Sequence, residues 1–160
     1  MKLLNLSEFP SETYILLEGE KRQEIFNKLK KKFRKLKEIK KVLRIKSTAE
    51  LYCWKDGYEI KNKIKIVKRY IPLNVLKKIC LGINTDINKI QDKVIEIKTG
   101  SRSGIIKNPK LPLKIVPETF AILGHFLGDG YGGEVGRAAY INTSKEARKN
   151  FIKELKIAFG

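Results

Sequence analysis

Apolar residues recur at three- and four-residue spacing at Ile25, Phe26, Leu29 and Phe33, and again at Leu36, Ile39, Val42 and Leu43, which predicts two amphipathic helices. After a break at Ile45-Lys46, Ser47 or Thr48 can cap a third, short helix running from Thr48 to Lys55 and ending at the Asp56-Gly57 turn signal. Pro72 suits the first turn of a fourth helix, Leu73 to Leu81, stopped by Gly82. Between them, Lys61 to Ile66 alternates basic and apolar residues, as a small hairpin does. Short helices in this order point to a helix-turn-helix, although a basic helical bundle has the same periodicity. In the helix-turn-helix reading, residues 48–55 are the recognition helix. They present Thr48, Glu50, Tyr52 and Lys55 outward while Leu51 and Trp54 hold the core.

The last third of the chain has a different pattern. Pro117 at a first helical position and Glu118 beside it start a helix whose positions 119–127 are apolar nearly all round. A helix without a polar face must be buried on every side. Gly124 and Gly128, four residues apart, remove side chains from one face, so a second helix can approach backbone to backbone. Asp129 follows, and Asp-Gly also suits a simple tight turn. His125, within the apolar stretch, reads as a packed, hydrogen-bonded residue rather than a base.

Charge divides the same chain. Its 160 residues carry a net +18, but residues 20–70 hold 15 Lys and 4 Arg against 6 acids, whereas residues 117–160 hold 6 bases against 5 acids. Such an excess is self-repelling unless a polyanion neutralises it, and nucleic acid gains counterion entropy when it does so. Lys98-Thr-Gly-Ser-Arg-Ser-Gly104 and Asn108-Pro-Lys-Leu-Pro112 read as a basic linker over 98–113, with Arg102 and Lys107 as phosphate contacts. Lys61, Lys63 and Lys65 of the predicted hairpin would lie along the backbone in the same way. Cys53 and Cys80 stand apart and read as reduced core thiols. No apolar run approaches the ~18 residues that span a bilayer, and no signal-peptide pattern opens the chain, so a cytoplasmic location is expected.

Residues Ile122 to Gly130, with Phe120 and Tyr131 flanking them, resemble the LAGLIDADG motif of homing endonucleases and related RNA maturases. Gly124 and Gly128 match the small residues of that motif's helix interface, and Asp129 matches its catalytic, metal-binding acid. Glu134 to Thr143 would supply the first β-hairpin. Thr143-Ser-Lys-Glu146 has the form of a capping box opening a helix with Ala147, Phe151, Leu155 and Phe159. The basic helices and linker ahead of the motif resemble the DNA-binding N-terminal extension of some archaeal members. The resemblance implies an α+β protein. It would comprise a mostly helical, helix-turn-helix-like basic module over 1–97, the linker over 98–113 and a partial LAGLIDADG αββα unit over 114–160.

It also implies an activity. Phosphodiester hydrolysis needs a divalent ion, here Mg²⁺, to activate water and neutralise the transferring phosphate, and Asp129 with the carbonyl of Gly128 would be its ligands. One acid per motif makes a homodimer necessary, paired through the motif helix and cutting the two strands of double-stranded DNA. Arg137, Tyr140 and Asn142 on the hairpin would contact that DNA. The family unit continues with a second hairpin and a closing helix that these 160 residues do not include, so a truncated, inactive DNA-binding remnant is the alternative expectation. RNA maturase activity is the third.

Overall fold

The computed structural model describes residues 2–56, 58–59, 66–67, 70–98, 105–132 and 138–159, with the backbone alone at 58–59, 66–67, 126, 129–132, 138–139 and 159. Four helices stand where the 3.6-residue period put them: α1 (Gly19–Lys32), α2 (Leu36–Leu43), α3 (Ala49–Asp56) and α4 (Leu73–Gly82). Each turns its apolar stripe inward: Ile25, Phe26 and Leu29 on α1, Ile39 and Leu43 on α2, Leu51 and Trp54 on α3, and Leu73, Val75, Leu76, Ile79 and Cys80 on α4. α2 stops at Arg44, which takes the left-handed conformation (φ 54°) and donates its N–H to Lys40 and Lys41 carbonyls, while Ile45 N–H reaches Lys40 O at 3.2 Å. A non-glycine residue in that conformation costs on the order of 1 kcal/mol, offset here by the closed hydrogen bonds and the burial of Ile45.

The described part of the first 97 residues is mainly helical, as expected, but it also carries strands that the periodicity did not predict. Strands β1 (Lys2–Leu4), β2 (Tyr14–Leu17), β3 (Tyr58–Glu59), β4 (Ile66–Val67), β5 (Ile71–Pro72) and β6 (Val94–Lys98) interleave with the helices. β7 (Ile106–Lys107) and β8 (Leu113–Ile115) follow. Four of them form an antiparallel sheet in the order β5-β2-β6-β7, with Ile15 opposite both Ile71 and Ile97 and a bulge between Leu16 and Leu17. β3 pairs antiparallel with β4, and residues 61–65 of the predicted basic segment lie outside the described residues. α1 to α4 pack on one another, and α4 against β5 of this sheet, around one apolar cluster running from Leu6 to Ile97.

The stretch expected as a linker is in part structured. Ile106 pairs with Ile97 and Lys107 with Glu96, and Leu111 packs against the main core. Pro109 and Pro112, which read as linker residues, stand between β7 and β8, where they suit a turn as well. β1 pairs with β8, Lys2 opposite Ile115, and so ties the start of the chain to the strand leading into the last third.

That last third runs helix, two strands, helix: α5 (Pro117–Asp129), β9 (Gly130–Gly132), β10 (Ala138–Tyr140) and α6 (Lys145–Phe159). The hairpin starts at Gly130, earlier than the expected Glu134, and pairs Tyr140 with Gly130. The α6 cap also moves. Ser144 Oγ accepts the Ala147 N–H at 3.2 Å, so Ser144 and not Thr143 holds the first turn, and Glu146 falls one position short of a capping box. Among the described residues, no helix is long and apolar enough to cross a membrane.

Candidate functional site

α5 opens as its sequence dictates. Pro117 takes the first helical position, Thr119 N–H donates to Val116 O at 2.9 Å, and Val116 N–H returns a bond to Thr119 Oγ1. The helix then presents two unlike faces. Ile122, 3% exposed, packs with Phe151 and Ala158 of α6 and with Val116, Tyr140 and Leu155. The opposite face carries Phe120 at 64% exposure, Leu123 at 52% and Leu127 at 88%, all open to solvent. Gly124 and Gly128 lie beside them, and a Cβ placed on either would meet nothing within 4 Å. The close approach their spacing predicts is therefore not made within the chain by any described residue.

Asp129 is the last residue of α5 and leads directly into β9; its side chain lies outside the described ones. Gly128 sits in the last turn, where carbonyls have no intrahelical donor. A carboxylate and a helix-terminal carbonyl are both oxygen donors, the chemistry a hard divalent cation takes. Among the described residues, no group of three His, Cys, Asp or Glu side chains is placed to hold a metal ion.

His125, one turn before Asp129, packs between the helices. Its ring stands edge-on to Tyr140 (4.9 Å) and Phe151 (5.5 Å), and Nε2 lies 3.1 Å from Glu154 Oε2. That oxygen is buried with no well-aligned hydrogen-bond donor, so the approach is one of distance rather than of good N–H geometry. Tyr140, expected on DNA, is thus a core residue of this unit, its ring 4.4 Å from that of Phe151. Asn142 shapes the turn into α6: its Oδ1 accepts Ser144 N–H at 2.8 Å and its carbonyl accepts from Arg148. Arg137 lies outside the described residues.

The residues predicted on the recognition helix are placed unevenly. Thr48 is half-buried ahead of α3, and its carbonyl accepts the Leu51 N–H. Tyr52 is exposed with Lys30 Nζ 4.9 Å from its ring centroid. Lys55, its side chain only 20% exposed, lies in the groove between α1, α2 and α3 with Asp56 3.7 Å away, and so points back along its own unit. Lys107 is exposed on β7 opposite Glu96. Lys61, Lys63, Lys65 and Arg102 lie outside the described residues.

Sequence reasoning missed one polar cluster. Glu96, buried in β6, accepts a short hydrogen bond from the Tyr70 hydroxyl, and Lys98 Nζ stands 4.4 Å from the Tyr70 ring centroid. Burial, reinforced by the Glu96 carboxylate, pushes Tyr70 up to about 12. An acid inside Val-Ile-Glu-Ile-Lys is the only sequence signal for it. No protein-family profile, curated protein or solved structure matches the chain.

Proposed function

We propose that this chain is a LAGLIDADG-type, Mg²⁺-dependent endonuclease that cuts both strands of a specific DNA site as two copies paired through α5. One observation carries the reading: α5 leaves an apolar face open around Gly124 and Gly128 and ends at once in Asp129. A second copy of the same helix fits that face because two glycine-notched surfaces complement each other, and the pairing sets the two acids near one axis. Asp129, with the Gly128 carbonyl, would hold the ion, which when bound activates water and offsets charge on the phosphate. The chain's own part is to position: α6 holds α5 through Ile122, Phe151 and Ala158, and the basic first half grips the phosphate backbone.

Incubating the purified chain with a plasmid library carrying random inserts tests this. The expected result is Mg²⁺-dependent linear product at one recurring sequence, lost with EDTA and in Asp129→Asn. Salt-dependent binding with no cutting would contradict it and favour a DNA-binding remnant, and preference for structured intron RNA would select the maturase.

A further inference from the structure

Between residues 28 and 46, eleven Lys and Arg side chains are exposed against a single acid, Glu38. They are not scattered. Lys37, Lys40 and Lys41 fall at i, i+3 and i+4 of α2, so they form one stripe along the helix, and Lys31 and Lys32 stand exposed in the last turn of α1, Lys32 donating to Asn84 Oδ1 at 3.2 Å. Among the described residues, no carboxylate lies within ion-pair distance of any of these five. α3, by contrast, carries Glu50, Lys55 and Asp56, and its one cation has an acid beside it.

Basic residues at helix C-termini have an ordinary use, since they offset the negative end of the helix dipole, and Lys30 to Lys32 and Lys40 to Lys41 qualify. Lys35 and Lys37 do not. Lys35 is the N-cap of α2 without any side-chain cap bond, and Lys37 stands in the first turn, where the dipole disfavours a cation. Helix stability therefore does not account for them. A membrane surface fits poorly, because an interfacial helix must free its apolar face, and Ile39 and Leu43 of α2 are each 1% exposed in the core.

We infer that the ridge formed by the end of α1 and the outer face of α2 is where the first half of this protein grips the phosphate backbone of duplex DNA, in place of α3. The inference rests on the nucleic-acid partner of the reading above but not on cleavage, so binding is measured in EDTA.

The probe is a fluorescein-labelled, mixed-sequence duplex titrated with the full chain over a range of salt. Lys37→Gln/Lys40→Gln/Lys41→Gln, which keeps good helix formers on an exposed face, should weaken binding roughly ten- to hundredfold and lower the salt slope by about 2–3. The same change of charge on α6, Lys145→Gln/Lys149→Gln/Lys153→Gln, should leave the slope within about one contact of wild type. Far-UV circular dichroism and Trp54 fluorescence check that each variant folds. Equal weakening by both triple variants, a greater loss in Tyr52→Ala than in the ridge variant, or binding of the wild type to phosphatidylserine vesicles but not to the duplex would each overturn it. Duplex binding that tracks the ridge in a protein that never cuts would leave this inference standing and sink the nuclease.

Discussion

The two halves of this protein solve the problem of burial differently. The first half closes on itself: four helices and a four-stranded sheet share one cluster in which Leu6, Ile15, Ile71, Leu73, Leu76 and Ile79 lose all contact with water. In the second half, the buried apolar residues among the described ones are Ile122, Phe151 and Ala158, while Phe120, Leu123 and Leu127 stay exposed along α5. An exposed apolar face of this kind is the surface that the proposed pairing would cover. Among the described residues most of the buried apolar core therefore lies in the first half, and the surface on which the proposed pairing rests lies in the second.

The largest expected effect sharpens this contrast. Leu76→Ala should cost about 2–5 kcal/mol and lower the thermal transition followed by Trp54, the single tryptophan, which lies in the same cluster. Phe151→Ala should leave the Trp54 transition in place and remove helical signal at a lower temperature. One common transition for both variants would mean that the halves share a single core. Next in size, Gly124→Ala should raise the stability of the monomer by about 0.5–1 kcal/mol, because the added methyl meets nothing and alanine favours the helix. The same methyl should weaken self-association in sedimentation equilibrium. A Gly124→Ala chain that pairs as tightly as wild type would remove the role assigned to that glycine.

The smallest effect is alkaline. The folded pKa of Tyr70 lies above its unfolded value of 10, so its contribution to stability is complete below pH 10 and is lost as pH rises toward about 12. Tyr70→Phe should flatten urea-unfolding stability across that window. An unchanged slope would show that the hydroxyl does not titrate with folding.

The helices were legible because their stripes are long enough to show a period; α1 and α2 each carry the i, i+3, i+4 pattern of one buried face. The sheet was not. Tyr-Ile-Leu-Leu of β2 is buried at three successive positions and so lacks alternation, and its partner β6 lies some eighty residues along the chain. β5 and β7 have two residues each, too few for any pattern. The α6 cap moved because Thr143 and Ser144 are equally able to accept an N–H, and only the backbone path decides between them. At the candidate site, the placing of Gly124 and Gly128 on one face of α5 followed from residue spacing, but the all-round burial expected of that helix is not met among the described residues. The packing of Tyr140 onto His125 did not follow from spacing, because it depends on where the hairpin turns.

The claim that two copies share the work, one acid from each, is tested most directly by mixing. Wild-type chain cutting its recovered plasmid site with Mg²⁺ should give linear DNA. Addition of excess Asp129→Asn should convert that product largely to nicked circles, since mixed pairs can cut one strand only. Loss of linear product without nicked circles, or a wild-type chain that cuts nothing, would contradict it.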